Sequence, residues 1–169
     1  MFCFFYRMVK RNSYEPSYAF ISHVQKEAKD LALDLFMELR ERDHLVWLDI
    51  KMSDPSVPAM EAGVKDCDVV IIILSPDYFN RPFCVKEREW ASQYNKPIVY
   101  VTLPEWKLKI GEFCQHADKA GFPISSNVIT IDRSDPEYLD VGVNKLIRAA
   151  DQAIPENIPM VRNNYKNDF

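Results

Sequence analysis

Along this chain, short runs of consecutive apolar residues alternate with longer stretches in which apolar positions recur every three or four residues. The longest run, Val69-Val70-Ile71-Ile72-Ile73-Leu74, is β-branched and free of alternation. That pattern predicts a strand buried on both faces, as in the centre of a covered parallel sheet. Ser75-Pro76-Asp77 stops it, because proline cannot donate to a ladder and Ser and Asp favour turns. Four further apolar runs read as strands: Tyr18–Ser22, His44–Leu48, Ile98–Val101 and Val128–Ile131. After a turn at His23–Gln25, the stripe Ala28, Leu31, Ala32, Leu35, Phe36, Leu39 predicts an amphipathic helix ending near Arg42. A short helix is expected over Ala59–Asp66, and another from Cys84 to about Tyr94. Phe83, Glu87 and Ala91 follow one another at spacings of four and so share a face. Asp135-Pro136-Glu137, with proline at the first helical position, opens a last helix that holds Leu139, Val143, Leu146 and Ile147 and runs to about Ala153. The least regular segments are Ile50–Pro58, with a turn signal at Ser53-Asp54-Pro55-Ser56, and Pro104–Pro123, which mixes helix-like pieces with polar turns.

Five strands alternating with helices predict an α/β fold, a flavodoxin-like five-stranded parallel sheet of order 2-1-3-4-5 with helices on both faces. In that order strands one and three diverge at a switch point, and ligands sit outside their carboxyl ends. Ser22-His23 closes strand one and Ser75 closes strand three, so a site is expected there, with Glu87 close by. The domain is expected over residues 17–154, behind a flexible leader 1–16 that carries Arg7, Lys10 and Arg11. Residues 155–169 read as a loose, polar, proline-broken tail.

Composition narrows the function classes. An apolar share of 47% over 169 residues suits one domain with a real core, and a net charge of -4 gives no electrostatic case for nucleic acid. Cys3, Cys67, Cys84 and Cys114 form no CxxC pair, and Cys114 with His116 is a poor metal spacing, so no metal is expected. The scattered cysteines suit a reducing compartment. Met1–Tyr6 is too short and lacks the leading basic residue of a signal peptide, and no run is long enough to span a membrane, so a cytoplasmic location is expected. The glycines are isolated, which excludes a phosphate-binding loop or dinucleotide fingerprint. A phosphoacceptor receiver domain is excluded too, because Leu74-Ser75 stands where its aspartate would end strand three.

Three motifs occur in order: YAFISH (Tyr18–His23), a turn-rich loop after WLD (Trp47–Asp49), and SPDYFNRPFCVKE (Ser75–Glu87). Together they resemble a Toll/interleukin-1 receptor (TIR) domain: a box-one strand, the BB loop, then a strand ending in Leu-Ser and a Cys-x-x-Glu helix start. KPIVYV (Lys96–Val101) falls where the family's fourth strand should, and the resemblance covers about Tyr18–Ala153. It implies one of two functions. Many TIR domains of plants and bacteria, and the animal axon-degeneration enzyme, cleave the nicotinamide–ribose bond of NAD with a glutamate on this helix. Animal receptor and adaptor TIR domains are noncatalytic scaffolds that assemble through the BB loop. Catalytic members carry Glu in the Cys-x-x-Glu position with an aromatic residue, usually Trp, four before it. Here these are Glu87 and Phe83.

The resemblance therefore implies NAD as a substrate rather than a cofactor, with Glu87 as the catalytic acid. N-glycosidic cleavage passes through an oxocarbenium-like ribosyl cation, which a carboxylate stabilises, and nicotinamide leaves without a proton donor. Phe83, Trp47 and Tyr78 are candidates to stack on a flat ring. Ser22, His23, Lys51 and Ser75 are candidates for hydroxyl and phosphate contacts. His23 departs from the arginine that the family often carries there, and its charge depends on pH. Ser53, Asp54, Pro55 and Ser56 form the expected BB loop, implying homotypic TIR–TIR self-association and contact with other TIR proteins. Glu89 is the rival acid, two residues from Glu87 and on another helix face. Each candidate has a plainer reading: a solvated helix-face acid for Glu87, a core ring for Phe83 or Trp47, surface residues for His44 and His116, a small apolar filler for Cys84.

Overall fold

The structure, a computed structural model, describes residues 12, 14–124 and 127–156. Five parallel strands, β1 (Ser17–Ser22), β2 (Val46–Trp47), β3 (Cys67–Ile73), β4 (Ile98–Thr102) and β5 (Val128–Thr130), form one sheet of order β2-β1-β3-β4-β5. The expected α/β fold and strand order are thus observed. All seven residues of β3 are buried, and it pairs with β1 from Ser17↔Cys67 to Ser22↔Ile72 and with β4 from Val70↔Ile98 to Ile73↔Val101.

Strand side chains alternate between two helical layers, as a period of two requires. Ile21, Val69, Ile71, Ile73 and Val101 belong to one core with α1 (Gln25–Glu41) and α5 (Pro136–Ala153), through Leu31, Leu35, Val143 and Leu146. Phe20, Val70, Ile72 and Leu74 belong to the other, with α2 (Val57–Asp66), α3 (Pro82–Gln93) and α4 (Ile110–Lys119), through Val64, Trp90 and Phe113. Among the described residues no helix is long and apolar enough to cross a membrane.

Several element ends differ from the sequence-based expectation, each for a local reason. Only Val46–Trp47 of the expected His44–Leu48 strand joins the ladder. Asp43 turns through a left-handed conformation (φ 62°), and the Leu45 carbonyl accepts from both Tyr18 N and Ala19 N at 2.8 and 3.2 Å. Regular pairing begins only beyond that shared bond. Past Leu48 the chain folds into a 3-10 turn, Asp49–Lys51. Helix α2 starts two residues before the expected Ala59, because Ser56 Oγ caps it by accepting from Ala59 N at 3.4 Å and a proline stands in its first turn. The ambiguous span after β4 resolves into a 3-10 stretch, Pro104–Lys109, leading into α4, which buries Phe113 and Ala117. Most of the expected leader and tail lies outside the described residues.

Gly63 shows how closely α2 approaches the sheet. A Cβ there would meet Trp47 Nε1 at 2.7 Å, and Trp47 is itself stacked on Phe20 with ring centroids 4.5 Å apart. The indole is held between the Gly63 backbone and the Phe20 ring. Gly63→Ala should therefore lower stability by roughly 1–3 kcal/mol despite alanine's better helix propensity. Denaturant unfolding checks this; an alanine variant as stable as the parent would mean that α2 shifts freely.

Candidate active site

The carboxyl ends of β1 and β3 deliver three buried polar side chains to the switch point: Ser22, 1% exposed, Ser75, 1%, and His23, 8%. Beyond Ser75 the chain makes a 3-10 turn, Tyr78–Asn80, that drives the Tyr78 ring fully into the interior. Pro82 then starts α3, whose buried residues are Cys84, Glu87, Trp90 and Ala91. Glu87 thus takes a place on the inward stripe of its helix and is 8% exposed.

Ser22, Tyr78, Glu87 and Cys84 form one hydrogen-bonded cluster. Ser22 Oγ lies 2.5 Å from Glu87 Oε2 and 2.6 Å from the Tyr78 hydroxyl. The Tyr78 hydroxyl also reaches the Cys84 carbonyl at 3.3 Å, and Cys84 Sγ donates to the His23 carbonyl at 3.5 Å. His23 Nε2 and Ser75 Oγ are buried with no hydrogen-bond partner among the described residues. Buried polar atoms seldom go unsatisfied, so both are free to receive a polar group from outside.

Burial dominates the electrostatics. It pushes the Glu87 carboxyl up to about 8, against the opposing bond from Ser22 and with help from the charge of Asp49. At neutral pH the resting carboxyl is therefore mostly protonated. Burial likewise lowers His23, against Asp49 and a backbone bond at Ile21, which keeps the imidazole neutral. The Cys84 thiol is pushed up to about 12 by burial and by Glu87, and Tyr78 stays a neutral phenol for the same reasons. Asp49 is the residue that sequence reasoning passed over. It accepts from Gln25 Nε2 at 2.7 Å and from Ile50 N at 2.7 Å, and it is the acidic charge closest in effect to Glu87. Its position immediately after β2, next to the switch point, was the available signal.

The other expected site residues are dispersed. Trp47 is core, 1% exposed, between Phe20 and Gly63. Phe83 is 59% exposed in the first turn of α3. Lys51 is half-buried with Nζ 5.9 Å from the Phe36 ring centre. Glu89 is bound at the surface to Lys86 at 3.0 Å. Ser53, Pro55 and Ser56 are exposed between the 3-10 turn and α2, and Asp54 accepts from Ser56 N at 2.9 Å and from the Tyr14 hydroxyl at 3.0 Å. A groove of about 430 Å³ lies at the opposite edge of the sheet, lined by Ile98, Ile129, Lys145, Arg148 and Ala153. Among the described residues no group of three or more metal-ligating side chains occurs.

Comparisons with known proteins bear on the family and the fold. A family model described as a TIR domain matches residues 19–147. No curated protein sequence matches the chain. Among solved structures, the TIR domain of the Toll-related receptor TRR-2 from Hydra magnipapillata aligns with a TM-score of 0.56 at 14% identity, over 80% of this chain and 98% of that one. The TIR domains of the activated Roq1 resistosome, which recognises the pathogen effector XopQ, align with a TM-score of 0.56 at 11% identity, over 79% and 98%. A TIR-STING receptor from C. gigas, solved with 2',3'-cGAMP, aligns at 0.54 and 16% identity, over 80% of this chain and 41% of that one. At these identities the likeness is one of fold.

The raised carboxyl makes stability depend on pH. Between 4.5, the ordinary value for glutamate, and about 8 the folded state holds a proton that the unfolded state has lost. Stability therefore falls as pH rises through that window, by about 1.4 kcal/mol per pH unit from this group. Glu87→Gln removes the effect. Its stability relative to wild type should improve by a few kcal/mol from pH 5 to pH 8 and then level off. Parallel urea titrations across that range check it; a constant difference would mean that the carboxyl ionises freely.

Proposed function

The chain belongs to the TIR domain family, and on that premise we propose that it cleaves the nicotinamide–ribose bond of NAD, with Glu87 as the essential acid. The observation that carries this reading is the carboxyl itself. It is buried at the β1–β3 switch point, bonded to Ser22 at 2.5 Å, where open α/β sheets bind ligands. Burying an ionisable group without an ion-pair partner is costly, and such groups concentrate at functional sites.

The reaction needs little else. As the C1'–nitrogen bond breaks, nicotinamide departs neutral with the bonding electrons and the ribose becomes an oxocarbenium-like cation. A carboxylate beside it stabilises that charge. Water then adds to C1' and releases a proton, giving ADP-ribose; attack by an adenine nitrogen instead gives a cyclic isomer. The resting Glu87 is protonated, but the pyridinium of arriving NAD brings a positive charge that lowers its pKa. His23 Nε2 and Ser75 Oγ are the unsatisfied groups available to ribose hydroxyls. Phe83, exposed one turn before Glu87, is the ring available to stack on the base.

The site is closed in the single chain: Ser22, Ser75, Tyr78, His23 and Glu87 are each at most 8% exposed. Opening is therefore part of the activity, and self-association through Ser53–Ser56 is the proposed trigger, in a role in immune or cell-death signalling. The same closure supports a second reading, a noncatalytic scaffold that joins other TIR proteins through that loop and never opens.

NAD consumption, followed by chromatography over a wide range of protein concentration, separates the two. The enzyme reading expects turnover rising faster than linearly with protein, and a loss of about a hundredfold or more in Glu87→Ala. It also expects kcat/KM to rise with pH and level off above about 8, where the free carboxyl is ionised. No turnover at any concentration favours the scaffold. Turnover that survives Glu87→Ala means another acid carries the reaction, with Glu89 the first to test.

A further inference from the structure

Protons can be counted along the buried chain Glu87–Ser22–Tyr78–Cys84 carbonyl, whose three links measure 2.5, 2.6 and 3.3 Å. Ser22 and Tyr78 each own one hydroxyl hydrogen. When Glu87 is protonated, three hydrogens fill three links in one direction. Glu87 donates to Ser22, Ser22 to Tyr78, and Tyr78 to the Cys84 carbonyl. When Glu87 is ionised only two hydrogens remain, and the charge orients both toward it. Ser22 now donates to Glu87, Tyr78 donates to Ser22, and the Cys84 carbonyl link empties. The long 3.3 Å link is the weakest of the three and the one given up.

We infer that Tyr78 is a positioning residue: by donating to Ser22 it fixes the direction of the Ser22 hydroxyl, and through Ser22 it holds Glu87 in place as a carboxylate. This rests on the reading of Glu87 as the acid of an NAD-cleaving site. Tyr78 is suited to the task because its ring is wholly buried, edge-on to Phe79 at 5.2 Å between centroids, so the hydroxyl is held rather than mobile. Three other titratable groups face this chain: Asp49 from the turn after β2, Cys84 from α3, and Tyr100 from β4. The backbone carbonyl of His23, after β1, accepts from the Cys84 thiol. Asp49 opposes the carboxylate. Arg81 acts on the Cys84 thiol and Arg88 Nε donates to the Tyr100 hydroxyl at 3.2 Å, but neither is among the charges that shift Glu87, so the support falls to the hydroxyl chain.

Removing only the hydroxyl, in Tyr78→Phe, discriminates between states. The neutral acid keeps a route to Ser22 through either oxygen. The carboxylate loses the donor that polarises its one buried bond, and charge-assisted bonds are the stronger ones. Carbon-13 spectra of labelled Glu87 Cδ across pH, with NAD turnover measured on the same samples, provide the test. The expected result is an inflection moved upward by about half to one pH unit in Tyr78→Phe, a three- to tenfold smaller ionised fraction at pH 7, with kcat reduced more than KM changes. Adding Tyr78→Phe to Ser22→Ala should produce no further shift, because the route is already cut. In the wild type, which needs no folding control, the Tyr78 Cζ signal should titrate with the same inflection as Glu87. A wild type that turns over NAD while its Tyr78 signal ignores Glu87, or a folded Tyr78→Phe with an unmoved inflection, overturns the role of Tyr78 alone. A wild type that consumes no NAD overturns the enzyme reading and this role with it.

Discussion

Everything in this domain depends on β1 lying beside β3. The two strands pair in parallel from Ser17↔Cys67 to Ser22↔Ile72, although α1, β2 and α2 separate them in sequence. A right-handed crossover over each face of the sheet is what makes that pairing accessible. It forces the connections after β1 and β3 to leave toward opposite layers, which opens a crevice at their carboxyl ends. Ser22 reaches that crevice as the last residue of β1, and Ser75 and Tyr78 reach it through the short turn that leaves β3. A slip of one residue in β3 would exchange its two helical layers, sending Ile71 where Ile72 belongs.

Within that frame the cluster around Glu87 is a compromise between burial and ionisation. One hydroxyl bond from Ser22 is too little to hold a charge in a nearly closed site, and Asp49 works against it. The carboxyl therefore rests as an acid, and becomes a carboxylate when pH rises or positive charge arrives. A resting protonated form keeps the empty domain stable at neutral pH. A permanently charged one would lower the stability of the whole fold.

Elements with a strong period were legible from the sequence: the unbroken β3, the α1 stripe, and the strand order that follows from five βα alternations. Ser22, Ser75 and Glu87 were legible as neighbours, since strand ends and a helix start fix them. The aromatic residues were less so, because exposure depends on what a neighbouring element leaves uncovered. Trp47 is sealed by a glycine in α2 that permits an approach no larger residue would allow. Phe83 points in a direction between the buried Glu87 and Trp90, yet is 59% exposed because it stands in the first turn of α3, so its exposure follows from position along the helix and not around it. Asp49 stands in the sequence only as the end of the Trp47–Asp49 motif; its influence on Glu87 is an electrostatic effect between segments distant in sequence. Tyr78 read as a stacking ring, and only the 3-10 turn after Ser75 shows that its hydroxyl faces inward to Ser22.

The thiol of Cys84 adds a consequence in the language of chemical reactivity. It lies one helical turn from Glu87, yet burial and the neighbouring Glu87 push its pKa up to about 12, so the thiolate is scarce at pH 7. Peroxides and electrophiles react with thiolates, so this sulfur is mute toward both. Cys114, half-buried, lies on α4. Oxidants therefore find no ready handle at the Glu87 cluster, and the site keeps its chemistry as the redox state of its surroundings changes.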